Sequence, residues 1–263
     1  MGKVLQIQPV TRIEGHARIS VHLNDEGNVE DAYMSLMSLR GFEKFIEGRP
    51  AEEVPRIVNR ICGICPWMHH TASNKAVDGC FGVTPTPTGH KLRELLQVMA
   101  HINDKILHFF FLAAPDFVLG PDADYSVRNV IGVVKAAPEL ATQVVKMRQL
   151  GQMMLDRFAG KAIHPIAAVV GGFSKPMLET ERQELLKDTR TLLDFSEYAL
   201  EFAKENVFSK YMDVIGELGV ITTGFLGTVD REDVACVIGA GVAGQVDGHL
   251  RDLRRRLRWP RAD

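Results

Sequence analysis

The stretch Arg60-Ile61-Cys62-Gly63-Ile64-Cys65-Pro66-Trp67-Met68-His69 sets two thiols three residues apart, directly ahead of a proline. Residues i and i+3 lie on one side of a helical turn, so Cys62 and Cys65 can aim both sulfurs at one metal. Pro66 suits the first position of a helix, where its missing amide hydrogen would be unpaired in any case. His69, four residues past Cys65, then lies over the same face, within reach of a sulfur. Gly63 allows close backbone approach, and the positive charge of Arg60 favours thiolate over thiol. The same pair is compatible with blander arrangements: two core thiols, a redox dithiol, or half of a zinc site. A zinc ribbon needs a second C-x-x-C, and Val83 stands where Cys80 would need its partner. A thioredoxin-type dithiol should follow a strand, which Arg56-Ile57-Val58-Asn59 hardly provides.

Outward from this motif the chain changes character. Upstream, residues 4–8 and 17–23 read as strands, the second alternating polar and apolar from His16 to Leu23. Asn24-Asp25-Glu26-Gly27-Asn28 signals a turn, and Val29 to Leu36 a returning strand. Residues 41–60 carry short helical patterns broken by Pro50 and Pro55. Downstream, apolar residues recur at helical spacing from Lys91 to Phe111, from about Val127 to Phe158 with an interruption at Pro138, and from about Leu178 to Asn206. The apolar run Phe109 to Ala114 stops at Pro115 and Asp116. These patterns predict a predominantly α, α+β architecture, with an N-terminal antiparallel sheet packed on a bundle of long helices.

Composition narrows the function. The 263 residues are 46% hydrophobic, enough for a large core, and a net charge of −2 points to no nucleic-acid partner. No stretch approaches the roughly 18 apolar residues that span a bilayer, and the first residues lack an apolar signal region, so a soluble chain is expected, while its few cysteines favour a reducing, cytoplasmic compartment. Cysteines occur at 62, 65, 80 and 236, too sparse for a disulfide scaffold. A cubane iron–sulfur cluster takes four thiolates, so a chain that commits Cys62 and Cys65 to another metal holds no such cluster. Cys80 reads as a small buried residue, and His101 and His108 as helix histidines without a role. From His249 onward six of fifteen residues are arginine and none is lysine. The preceding Gly239-Ala240-Gly241-Val242-Ala243-Gly244 matches G-x-G-x-x-G but lacks the following strand and acidic residue of a dinucleotide site, and reads as glycine-rich chance sequence.

Arg-x-Cys-Gly-x-Cys-x-x-x-His, met at every fixed position by Arg60 to His69, resembles the proximal motif of nickel–iron hydrogenase large subunits. Thr11-Arg12-Ile13-Glu14-Gly15-His16 is similar to the family's Arg-Ile-Glu-Gly-His element, and Arg40-Gly41-Phe42-Glu43 to its Arg-Gly-x-Glu element. Pro165 followed by Gly171-Gly172 is similar to a later element. The detail from Val10 to about Asp116 most resembles the cytoplasmic, methyl-viologen-reducing type that works beside heterodisulfide reductase. The resemblance covers roughly residues 4–228, and implies a hydrogenase domain over 1–230 followed by an atypical tail over 231–263. It implies a nickel–iron centre with diatomic ligands on iron, Cys62 as terminal nickel ligand and Cys65 as bridge. It further implies Glu14 as the first proton relay, His69 as donor to the bridging sulfur, Arg60 beside the site, and Glu43 as a ligand to magnesium. Partners implied are an iron–sulfur small subunit, an electron-transfer subunit and maturation proteins.

The family completes its metal site with Asp-Pro-Cys-x-x-Cys, which these 263 residues do not contain. The chain as written is therefore expected to supply two of four thiolates and to be inactive alone, as a fragment or frameshifted product would be. Two rivals differ in class. One is a non-catalytic scaffold subunit, like family relatives in respiratory complex I, against which the retained thiol pair argues. The other is a thiol-redox or zinc protein built on the same two cysteines.

Overall fold

The computed structural model describes residues 3–217, together with two backbone strands at Phe225–Val229 and Gly241–Gln245. The chain opens with an antiparallel sheet of β1 (Val4–Ile7), β2 (Ala17–Leu23) and β3 (Val29–Leu36), in that spatial order. Leu5 pairs with Val21, and Ile19 with both Ile7 and Met34. Asn24 makes the turn before β3 by accepting the amide hydrogens of Glu26 and Asn28 on its side-chain oxygen. Alternation thus locates all three strands to within a residue. Leu5, Ile7, Tyr33 and Met34 stay exposed.

The helices follow: α1 (Phe42–Phe45), α2 (Val54–Val58), α3 (Pro66–Phe81), α4 (Pro87–Leu107), α5 (Ala114–Leu119), α6 (Val130–Ala136), α7 (Pro138–Ala159), α8 (Glu179–Ala203) and α9 (Ser209–Glu217). Each proline that looks like an interruption mostly starts a helix instead. Pro66, Pro87 and Pro138 open α3, α4 and α7, and Pro55 and Pro115 lie in the first turns of α2 and α5. That is where a missing amide hydrogen does no harm. The expected break at Pro55 is corrected on this ground. Between α4 and α5 the chain runs through a π-helical turn, His108–Ala113, and a second such turn, Lys204–Phe208, joins α8 to α9.

One core holds the bundle. Trp67 of α3 packs with Leu96, Met99 and Ile106 of α4, Phe110 of the π turn, Met154, Leu155 and Phe158 of α7, and Leu185, Leu192 and Phe195 of α8. Each such side chain contributes about 1.5–3 kcal/mol on burial. Of the stripe expected on α8, Leu186, Leu193 and Tyr198 face outward. The result is the expected helix-dominated α+β class. No helix among the described residues is long and apolar enough to cross a membrane. The last four residues of the Gly239–Gly244 string lie in strand β7 (Gly241–Gln245), antiparallel to β6 (Phe225–Val229), where a phosphate loop would need a turn into a helix. The rest of that string and the arginine-rich tail lie outside the described residues.

A short hairpin, β4 (Ala168–Val169) and β5 (Gly172–Phe173), is bolted onto α3 and α4. Gly89 in the first turn of α4 has to be glycine, because a Cβ there would stand 2.9 Å from the Gly172 Cα. Arg93 donates to the carbonyls of Gly172 (2.9 Å) and Val169 (2.6 Å) and pairs with Asp78 at 2.5 Å, both side chains under 8% exposed. Asp78 in turn accepts the Gly171 amide at 2.8 Å. Asn59 donates to the Pro165 carbonyl at 2.9 Å.

Buried His70 ties the same hairpin to α2. Its Nε2 receives the Ala168 amide hydrogen at 3.2 Å, which places the ring proton on Nδ1, facing the Pro55 carbonyl at 3.3 Å. Burial, and then the Arg93 charge, hold its pKa below the ordinary 6.5. The unfolded chain therefore binds the proton that folded His70 refuses, and stability rises with pH across that interval. The contribution is complete above about pH 6.5 and declines as pH falls toward the folded pKa. Thermal unfolding at about pH 5 and pH 7.5 is expected to show a smaller pH-dependent drop for His70→Gln than for the wild type. Equal drops would contradict this assignment.

Candidate metal centre

The turn between α2 and α3 brings the motif together. Cys65 is the N-cap of α3 and Cys62 lies three residues earlier, in the non-helical segment between α2 and α3. The Cys65 amide hydrogen bonds the Cys62 Sγ at 3.0 Å, and the two sulfurs stand 2.6 Å apart as free cysteines. A disulfide would hold them at about 2.05 Å. A ring nitrogen of His69 lies within 4.8 Å of both sulfurs, and Cys62, Cys65 and His69 form a group of metal-ligating side chains. Cys62 is buried, while Cys65 and His69 are half-buried. Glu14, from the turn between β1 and β2, brings its Oε1 to 3.5 Å from the Cys62 Sγ, so the thiol can donate to the carboxylate.

The structure brings together Cys62, Cys65 and His69, which sequence spacing joins, and sets beside them Glu14, to which only the resemblance points, but two supporting arguments need correcting. Arg60 does not serve the thiols. It is exposed, and its guanidinium bonds the Asn59 side chain and the Arg56 carbonyl. The Cys65 thiol is pushed up to about 12, by burial first, then by its hydrogen bond to Cys62 and by the negative charges of Cys62, Glu14 and Asp104. Gly63 also takes no part in a close approach, since a Cβ there would meet nothing within 4 Å. Cys80 is exposed, not buried, because the inward stripe of α3 runs through Trp67, His70, Thr71, Asn74 and Asp78. Glu43 is exposed in α1 and joins no group of metal donors among the described residues.

Asp104 is a residue that periodicity conceals. It sits near the end of α4, its side chain 21% exposed, with its field felt by Cys65 and by Arg148. Within an amphipathic helix it reads as one more solvated acid. His69 is held below its usual pKa by burial, which keeps a ring nitrogen free to accept.

The donor chemistry fits a soft, cationic transition-metal group. Two thiolates converge on one point, which suits nickel and iron. Burial first, then the neighbouring Cys62 and lastly the charges of Glu14 and Asp104, hold Cys65 protonated, and a bound cation would reverse that balance by displacing the proton. Cys62 and Cys65 are the residues that would hold the group.

Comparison with known proteins agrees. The family described as nickel-dependent hydrogenase matches residues 40–147, and a HoxL-like family matches residues 4–39. An F420-non-reducing hydrogenase subunit of the vhu type from Methanococcus voltae is 48% identical over 229 residues, covering 87% of this chain and 54% of that protein. The corresponding F420-non-reducing hydrogenase subunit of Methanothermobacter thermautotrophicus is 44% identical over 228 residues, covering 86% of this chain and 48% of that protein. The crystal structure of an NAD+-reducing NiFe hydrogenase in its H2-reduced state superposes with a TM-score of 0.85 at 36% identity, over 92% of this chain and 54% of that one. The chain spans about half the length of the relatives it matches. Two adjoining family matches run from residue 4 to residue 147, across the Glu14 turn and the thiol pair alike. The chain belongs to the nickel-dependent hydrogenase large-subunit family.

Proposed function

We propose that this chain supplies the proximal half of a nickel–iron hydrogenase site, which oxidises H2 reversibly to two protons and two electrons. The observation that carries this reading is the meeting of Cys62, Cys65 and His69 with the Glu14 carboxylate on the Cys62 sulfur. When bound, the nickel–iron group would polarise H2 and accept its electrons. Cys62 is then the group that takes a proton at Sγ, and Glu14 the group that receives it at Oε1, 3.5 Å away. Cys65, at the start of α3, would hold the metal group together with Cys62, and His69 lies close enough to tune its sulfur.

Four cysteines in 263 residues leave no set for an iron–sulfur cluster once two of them serve this site. Electrons are therefore passed to an iron–sulfur partner subunit in a cytoplasmic complex, the second thiolate pair lies outside these residues, and the chain is inactive by itself. Glu43 offers an oxygen donor suited to magnesium, which would need further ligands than the described residues gather around it.

Glu14→Gln in the assembled enzyme tests the relay. An amide accepts no proton, so solvent exchange, read as HD from D2 in H2O, is expected to fall about 100- to 10,000-fold. Conversion of para- to ortho-hydrogen, which needs cleavage without proton escape, is expected to persist. Unchanged HD formation would remove Glu14 from the mechanism.

A further inference from the structure

We infer that Arg12 is a positioning residue, which fixes the Glu14 turn against Cys62 by clamping it to the start of α5. The inference rests on the reading of Glu14 above, and its anchor is independent of the thiols. The turn from residue 11 to 16 joins β1 to β2, and Ile13, Glu14, Gly15 and His16 are all exposed. Its own backbone and hydroxyl ties are the Val10 amide to the Ala17 carbonyl, the Met37 amide to the His16 carbonyl and the His16 amide to the Ser38 hydroxyl. All three hold the turn to the sheet or to the two residues that follow β3. None of the three holds the sheet's turn to the helices, beside which Cys62 lies.

Arg12 makes that connection. Its Nη1 donates to the Leu112 carbonyl at 3.0 Å and its Nη2 to the Asp116 Oδ1 at 2.8 Å, across a hundred residues of sequence. The same Asp116 oxygen is also paired with Arg128 at 3.6 Å. The carbonyl belongs to the π-helical turn His108–Ala113 and the carboxylate to the first turn of α5. Arg12 holds a φ of +57°, a left-handed conformation that side chains other than glycine rarely adopt and that persists where surrounding contacts over-determine it. Gly15, at φ +82°, supplies the second left-handed bend, so Arg12 and Glu14 of one tight turn reach different elements. Two acceptors in different directions call for the planar fork of arginine, which a lysine ammonium matches only in part.

The test uses the assembled enzyme, with Arg12→Gln, Arg12→Lys, Asp116→Asn and, as reference, Glu14→Gln. In Arg12→Gln the ratio of solvent HD formation to para–ortho conversion is expected to fall about 10- to 100-fold, the effect of a small misplacement of a reacting group. Arg12→Lys should recover part of this loss. Amide hydrogen exchange of the peptide over residues 10–17, read in both metal-free and loaded protein, is expected to accelerate at least about tenfold in Arg12→Gln. Asp116→Asn should move both readouts in the same direction. If Glu14→Gln lowers the ratio while Arg12→Gln leaves it and the amide exchange at wild-type values, the inference is overturned. If Glu14→Gln has no effect, the relay reading fails, and the amide exchange alone decides: acceleration in Arg12→Gln upholds the clamp, and wild-type exchange overturns it.

Discussion

Cys65→Ser in the assembled protein is expected to eliminate bound nickel and iron and, with them, HD formation from D2. Serine keeps the shape of the side chain and removes the soft sulfur that these metals prefer. Cys65 is also the member of the pair that caps α3 and contacts the Cys62 sulfur, so its loss dismantles the convergent arrangement from one end. Changes to groups that merely support a ligand already weaken metal sites about 10- to 100-fold, and loss of a ligand should exceed that. Cys80→Ser is the control, since Cys80 is exposed on the outer side of α3 and should retain full loading. Elemental analysis of purified wild type and variants checks both halves. Full nickel and iron in Cys65→Ser would remove Cys65 from the site. One zinc per wild-type chain, without nickel or iron, would move the chain to the zinc reading.

The thiol site was legible because its chemistry is local. Cys62, Cys65, Pro66 and His69 lie within eight consecutive residues, so a short non-helical turn and the first turn of α3 are enough to bring the thiols and the imidazole together. The strands were legible for the same reason, since alternation is a property of neighbours. What the sequence concealed depends on distant pairing. Arg60 looked like a partner for the thiols because it is near them in sequence, yet its guanidinium is spent on Asn59 and the Arg56 carbonyl. Arg12 stands two residues from Glu14, yet it reaches Leu112 and Asp116, a hundred residues away. Asp104 carries no local mark that sets it apart from a surface acid, and only the fold brings its charge to Cys65. The π-helical turns were invisible too, because a turn widened by one residue leaves the apolar spacing nearly unchanged.

The largest expected loss of stability lies away from the thiols, at Arg93. Three elements meet on its guanidinium: Asp78 of α3, and the Val169 and Gly172 carbonyls of the β4–β5 hairpin. In Arg93→Met the Asp78 carboxylate stays buried with the Gly171 amide as its remaining partner among the described residues, and both carbonyls lose the guanidinium donor. Breaking a buried pair from one side typically costs about 3–5 kcal/mol, chiefly the desolvation of the abandoned charge. For a domain of this size that corresponds to a fall in Tm on the order of 10 °C. Asp78→Leu combined with Arg93→Met removes the abandoned charge, so the double variant is expected to be more stable than Arg93→Met alone. It should still fall short of the wild type, because the hairpin carbonyls no longer receive the guanidinium bonds that tie them to α4. A double variant no better than the single one would show that packing of the hairpin, not the buried charge, sets the loss. The consequence reaches the metal site, since the 164–173 segment also holds Asn59 through the Pro165 carbonyl and His70 through the Ala168 amide. Those two residues flank the motif on α2 and α3, so Arg93→Met is expected to lower metal occupancy at temperatures where the rest of the bundle is still folded.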